Sequence, residues 1–590
     1  MRFITPSFLS LRDIRNVSDG SGFGGFATNL LAISVIASVI IFFSIGGDKL
    51  DIPISDITYQ KIVLDISSIP NYAFHTTFRM LMAIIASVIF SIIYGTLAAK
   101  SQKLEEVLVP FLDILQSVPV LGYISFTLTA FVSLAPNTVM GLEFAVIFAI
   151  FTSQAWNLAF CIYQSLKSIP PELQESALIL KLNSWQRFWR LELPYCVPNI
   201  IWNMTVSMSG GWFFVVASES ISLGNNTVTL PGLGSCIALS LAQQNWLYLG
   251  FAVLAMCCII IIYNFIIFNP LIVWSDKFRY EMTKSDATRS NIIVDILSRS
   301  TVANFLGKIW AAISDFIIDL PFLSWRSGRM RPYNQVVYVK ASHKMIFNIL
   351  WYIFIVLCSI YFARYVYLFL KNSIGMNDIK IVLELTMKTF SRVILLVLAV
   401  STILVPLGIY IGISPGLTTI VQPLIQFLAS FPANLFFPIA VIYIGEYELD
   451  PDIWLSPLMI IGPMWYILFN VIAGAALIPT EMREAYKLFG IKKWLWWKEV
   501  AIPAILPSYI TGAITASGGA WNASIIAEAV SWGDKHLYAD GIGAYVAKAT
   551  TVGDFSHIAL GIIAMSFMVV VFNKLFWQPL YNYTIHKYAY

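Results

Sequence analysis

Apolar residues in this chain fall into long unbroken runs separated by short polar segments. A helix needs about 20 apolar residues to cross a bilayer, and twelve runs approach that length. In the first half they lie near 27–46, 77–98, 108–131, 143–165, 196–218 and 248–274, and in the second near 347–370, 388–412, 420–444, 454–478, 504–530 and 556–578. Prolines interrupt the runs at 108–131 and 420–444. The pattern predicts an all-α polytopic membrane protein of about 12 transmembrane helices. The first run, Ala27 to Ile45, has the length of a span rather than of a signal-peptide core, and it is expected to remain as a helix.

The polar segments carry the orientation. Leu166 to Arg190 contains Lys167, Lys181, Arg187 and Arg190, and Glu481 to Glu499 contains Arg483, Lys487, Lys492, Lys493 and Lys498. Ser220 to Trp246 has neither Lys nor Arg. Basic residues in short loops mark the cytoplasmic side, so both termini are expected inside. The central segment, 276–345, is basic and too short for an enzyme domain. Within it, Asn291 to Leu320 repeats large apolar residues at helical spacing, which predicts an interfacial helix on the inner leaflet that bridges the two halves.

Composition narrows the class. Of 590 residues 58% are hydrophobic and 12% charged, about half the charged fraction of an ordinary soluble domain. Lipid is therefore the expected solvent, and a net charge of +4 offers nothing to a nucleic acid. Six cysteines form no CxxC pair, and five histidines are scattered, so neither a disulfide framework nor a metal site is expected.

The halves repeat each other. Glu175, Trp185, Pro194, Trp212, Glu219, Gly232 and Gly234 recur 309 residues later as Glu484, Trp494, Pro503, Trp521, Glu528, Gly541 and Gly543. Upstream the offset is 313, relating Arg79 to Arg392, Gly95 to Gly408, Pro110 to Pro423 and Pro119 to Pro432. Equivalent positions are six spans apart, an even number, so the halves enter the membrane in the same direction. A pseudo-two-fold axis along the membrane normal follows, with a pathway expected between the halves.

The repeated segment between the fourth and fifth spans of each half resembles the EAA loop of binding-protein-dependent ABC permeases. That pattern runs Glu-Ala-Ala, three residues, Gly, nine residues, Ile-x-Leu-Pro. Here the first copy has Glu175, Ser176, Ala177, Lys181 and Pro194, and the second has Glu484, Ala485, Gly490 and Pro503. Lys181 stands where the pattern has Gly. A glycine there would take the left-handed conformation that ends a helix, so the first loop is expected to turn at Asn183 instead. Both prolines are expected where the next helix begins. The stretches GGWFFVVASES and GGAWNASIIAEA, each followed by GLG or GIG, resemble the nitrate/sulfonate/taurine group, and the whole chain resembles its duplicated, fused form.

The resemblance implies two parallel six-helix repeats of the type I ABC importer permease fold: a first permease domain at 73–275 and a second at 386–580. Around them lie an N-terminal tail, first helix and outer loop (1–72), the linker (276–345), the seventh helix and its outer loop (346–385) and a cytoplasmic tail (581–590). It implies import of a small anion such as nitrate, sulfonate or bicarbonate across a bacterial or archaeal plasma membrane. An extracytoplasmic substrate-binding protein would deliver the anion, and two ATP-binding cassette ATPase subunits would dock on the two loops. No GxxxxGK[ST] phosphate loop occurs in the sequence, so no cofactor is expected on this chain and ATP would be used by the partner subunits.

Charged and amide side chains inside spans are the remaining candidates for the path or its gate. Glu219 and Glu528 suit a gate or a structural pairing better than contact with an anion. Arg79 and Arg392 either attract anions or snorkel to the interface. Asp113, matched by Gln426 in the second half, joins Gln116, Ser117 and Asn157 as possible lining, with packing between helices as the alternative. A twelve-span secondary transporter shares the architecture but needs no ATPase-docking loop. A membrane enzyme would want a cluster of His, Asp or Glu at one membrane face.

Overall fold

The computed structural model describes residues 62–117, 120–134, 139–223, 226–278, 292–319, 374–476, 493–532 and 535–588, with isolated residues between 353 and 371 and between 478 and 489. The expected span at 27–46 lies outside the described residues, and that at 347–370 is described only at isolated positions. Among the described residues seven helices are long and apolar enough to cross a membrane, or up to nine if each of two bent pairs is one span.

The first half contains α1 (Ile69–Lys100), α2 (Gln102–Ser117), α3 (Val120–Leu134), α4 (Met140–Lys167), α5 (Pro171–Ile179) and α6 (Leu193–Ser218). A hairpin of β1 (Ser220–Leu223) and β2 (Asn226–Thr229) follows, then α7 (Leu233–Ala242) and α8 (Trp246–Ile262). The linker holds α9 (Ile292–Arg299) and α10 (Thr301–Ile318). The second half repeats the order with α11 (Met376–Ile413), α12 (Pro415–Ser430), α13 (Phe437–Glu446), α14 (Met464–Ala476) and α15 (Ile502–Ala527). It closes with β3 (Ala529–Trp532), β4 (Lys535–Tyr538), α16 (Ile542–Val552), α17 (Phe555–Phe572) and α18 (Gln578–Tyr588).

Several expectations are corrected. The run at 108–131 is two helices, α2 and α3. That at 420–444 is bent by 72° between α12 and α13, at Phe431 and Pro432, and that at 454–478 by 43° before α14. α1 and α11 begin earlier than hydropathy alone suggests, because Tyr72, Thr76, Val382 and Thr386 are buried by protein. The helical architecture is as expected, with one small addition. Among the described residues each half has one two-stranded antiparallel hairpin, pairing Ser220 with Thr229 and Ala529 with Tyr538. The amphipathic stretch of the linker is two helices that meet at the buried Ser300.

The chain forms two compact units, one including Cys161–Trp202 and Phe265–Asp378, the other Phe42–Phe160, Asn203–Asn264 and Ile379–Tyr590. In the second unit α14 packs along α15. Small residues allow this close approach: a Cβ on Gly512 would lie 2.8 Å from the Tyr466 carbonyl oxygen, and Ala513, Ala516 and Ala520 are wholly buried. Between apolar helices in lipid, such close packing is the available driving force. Trp212 and Trp521, equivalent by the 309 offset, are both buried, against Tyr263 and Phe390 respectively.

Candidate functional site

The first repeated segment is built by local hydrogen bonding. α5 exposes Glu175, half-buries Ser176 and buries Ala177. Lys181 takes the left-handed conformation (φ 53°) that the family pattern reserves for Gly. The Lys181 amide donates to the Leu178 carbonyl (2.9 Å) and the Leu182 amide to the Ala177 carbonyl (3.1 Å). These are the two bonds of a Schellman helix end. Leu182 packs back on Ala177, Leu191 and Leu173. The turn therefore falls at Lys181 and not at Asn183, because these bonds and this contact outweigh the ~1–2 kcal/mol that a side chain costs in that conformation. Asn183 instead starts the next helix. Its side chain accepts from the Gln186 amide (2.7 Å), and the Asn183 amide donates to Oε1 of Gln186 (3.2 Å).

Pro194 is not at a helix start either. A continuous helix runs Ser184–Ser218, widened into a π turn at Phe188–Glu192 where the Leu193 amide reaches the Phe188 carbonyl. The second copy repeats the device. Its π turn is Trp497–Ala501, the Ile502 amide bonds the Trp497 carbonyl, and Pro503 follows inside the helix Trp494–Ala527. A proline lacks a donor and crowds the carbonyl of the preceding turn. A wide turn just before it relieves both. Glu484, Ala485 and Gly490 lie outside the described residues.

The repeated Arg and Glu residues meet. Arg79 pairs with Glu143 through Nε and Nη2, both at 2.6 Å, and with Glu219 through Nη1 at 2.7 Å. Nη1 also donates to the Pro231 carbonyl (2.9 Å). Thr76 donates to Glu219 (2.8 Å) and accepts from the Leu233 amide (2.9 Å), while the Gly234 amide donates to Oε2 of Glu219 (2.7 Å). In the second half Arg392 pairs with Glu528 (3.1 Å) and Asp452 (3.0 Å) and donates to the Asp540 carbonyl (3.0 Å). Thr389, the Ile542 amide and the Gly543 amide complete the copy around Glu528. Arg79 is thus committed to two carboxylates in a fully buried knot. Arg392 joins the buried Glu528 to a carboxylate nearer the surface, with its own side chain 13% exposed, that of Glu528 2% and that of Asp452 41%. The GLG and GIG motifs follow from crowding: a Cβ on Gly232 or Gly541 would lie 2.3 or 2.2 Å from the Glu219 or Glu528 carboxylate.

A second constellation is a cavity of about 120 Å³ in the larger unit; one water needs ~10–15 Å³ on the same measure. Both halves line it, at matched positions. Gln116 faces it with Ala429, and Val120 with Ala433, both 313 apart. Asn157 and Tyr466, Ser209 and Gly518, Gly210 and Gly519, and Phe213 and Asn522 all line it 309 apart. No charged side chain lines it among the described residues. Asn157 donates to Ser207 (2.8 Å), and Oδ1 of Asn522 accepts from the Val120 amide (2.7 Å), a bond between the halves. The Trp156 indole N–H is buried with no hydrogen-bond partner. Of the predicted lining, Gln116 and Asn157 reach the cavity, whereas Gln426 lies on α12 outside it. Asp113 and Ser117 are on α2, but their side chains are outside the described residues, as is Pro119.

The sequence profile of the binding-protein-dependent transport system inner membrane component matches residues 87–269 and again 404–576, more than half of the chain. The chain belongs to this permease family. It carries the family domain twice, as the repeat requires. It is 28% identical over 144 residues to the nitrate import permease protein of Leptolyngbya laminosa, covering 24% of this chain and 47% of that protein. It is 28% identical over 159 residues to the bicarbonate transport system permease protein of Synechococcus elongatus, covering 27% and 54%. The taurine transport system permease protein of Escherichia coli is 27% identical over 144 residues, covering 24% and 50%. The chain spans about half the length of these curated relatives.

Five residues of this duplicated permease escape a reading by motif: Thr76, Glu143, Asp452, Trp156 and Asn522. Four carried a signal in the repeat itself. Thr76 recurs as Thr389 at the 313 offset, and Glu143 recurs as a carboxylate, Asp452, at 309. Trp156 recurs as Trp465 at 309, whereas Asn522 is matched by Phe213 and has no polar partner, so only the cavity reveals it.

Proposed function

We propose that this chain is the permease subunit of an ATP-binding cassette importer that moves a small anion across the plasma membrane by alternating access. The observation that carries the reading is the cavity: hydroxyl and amide groups from both halves converge on a space without fixed charge. Neutral donors suit a site that must bind an anion firmly enough to admit it and weakly enough to release it. The relatives named for nitrate, bicarbonate and taurine support the anion class.

The domains at 73–275 and 386–580 form the two walls, joined by the linker at 276–345. Two ATPase subunits dock on the segments at 175–194 and 484–503, where Glu175 is exposed for a partner. These segments, the linker and both termini face the cytoplasm, and a substrate-binding protein docks on the other side. ATP bound between the ATPase subunits biases the permease between inward- and outward-open states.

The test is uptake by proteoliposomes holding the permease with its co-purifying ATPase. Nitrate or bicarbonate uptake should require ATP. Trp156→Phe should weaken it about fivefold in KM, the equivalent of one hydrogen bond of ~1 kcal/mol. Joint Glu175→Lys and Glu484→Lys should abolish ATPase association. Uptake driven by an ion gradient without ATP would establish the secondary-transporter reading instead.

A further inference from the structure

α10 is 18 residues long, about 27 Å at 1.5 Å per residue, and its two faces do different things. Its last turn reaches the first repeated segment. Asp319 accepts from Nη2 of Arg190 (2.8 Å) and from Nε2 of Gln186 (2.8 Å), and Asp315 stands 4.0 Å from Arg190. The other face is apolar and open: Phe305, Leu306, Ile309, Trp310, Ile313 and Phe316 are all exposed, Phe316 by 70%.

Two observations say what covers that face. α9, which leads into α10, packs on Asn269–Ser275, the last turns of the membrane-crossing helix Trp246–Phe278, and buries Val294. The linker pair therefore starts at a bilayer surface. The face also mixes aromatic and branched apolar side chains, the composition of helices that lie in the interface. α10 carries one cation, Lys308, and one anion, Asp315, so its attraction to lipid is apolar and not electrostatic.

We propose that α10 is a membrane-seated brace: its apolar face beds into the lipid surface, and its Asp315–Asp319 edge holds the first repeated segment through Arg190 and Gln186. The brace holds Arg190 and Gln186, both residues of the first half. It holds whatever the solute and whatever drives it, so the proposal stands apart from the transport reading.

The test uses the full chain, with its six cysteines replaced, in lipid nanodiscs and with nitroxide labels at one site at a time. A label at Phe316→Cys should be accessible to oxygen and shielded from an aqueous nickel chelate, and one at Lys308→Cys the reverse. The contrast should be equal in phosphatidylcholine and in phosphatidylglycerol. A label at Glu172→Cys, on α5, should become more mobile when Asp315→Asn and Asp319→Asn are combined, and regain its order when Arg190→Asp is paired with Asp319→Arg. Nickel access at Phe316 equal to that at Lys308 would overturn the membrane seat. A Glu172 label indifferent to the Asn pair would overturn the brace. Insertion in phosphatidylglycerol alone would replace the apolar contact with an electrostatic one.

Discussion

Lys181 shows how a loop keeps its shape when its usual residue is missing. Its left-handed backbone is held by two hydrogen bonds and by Leu182 packing on Ala177. Ala177 matters here for its size, because Leu182 and Leu191 close over it. Replacing Lys181 with Gly relieves the steric cost but frees the unfolded chain, and the first effect is larger. Lys181→Gly should therefore stabilise the segment by ~0.5–1 kcal/mol, read as slower proteolysis at 171–194 with the fold unchanged. The expectation of a turn at Asn183 failed because sequence shows a residue's intrinsic preference and not the contacts that override it. In the second copy Gly490 takes the family's position, although it lies outside the described residues.

At the scale of elements, each Arg–Glu–Thr knot ties several segments together. In the first half they are α1, α4, the end of α6 and the loop into α7; in the second, α11, the turn before α14, the end of α15 and the loop into α16. Removing one partner of a buried pair leaves charge stranded, at ~3–5 kcal/mol, whereas a pair open to water is worth ~0–1 kcal/mol. Arg79→Gln, which strands two buried carboxylates, should thus lower the melting temperature sharply in detergent, and Arg392→Gln, which strands the buried Glu528 but leaves Asp452 to water, by less. The glycines beside the carboxylates allow a second check. Gly541→Ala puts a Cβ 2.2 Å from Glu528, and it should destabilise by ~1–3 kcal/mol as overpacking does. Thr389→Val, which removes one hydrogen bond to the same carboxylate and the acceptor of the buried Ile542 amide, should cost ~1–3 kcal/mol. The paired π turns were not visible in the pattern, since a five-residue turn leaves helical periodicity almost intact. Pro194 and Pro503 were the only trace of them.

For the whole molecule, the architecture was largely legible. Lipid as solvent and two repeated halves followed from run lengths and two offsets. The matched positions that line one cavity rest on those same offsets. The bent spans and hairpins were not legible, because hydropathy reports that a segment is apolar and not whether it is straight. Nor was the role of Arg79, since sequence places a cation in a span without revealing that two carboxylates 64 and 140 residues away enclose it.

The cavity wall pairs Phe213 with Asn522, Asn157 with Tyr466 and Gln116 with Ala429. Were the halves separate copies of one chain, any mutation in that wall would strike twice, and adjusting one side alone would be impossible. Fusion gives each side its own codon. The lining can drift one group at a time, in single hydrogen-bond steps, and a solute held there would meet two unlike faces and have a preferred way round.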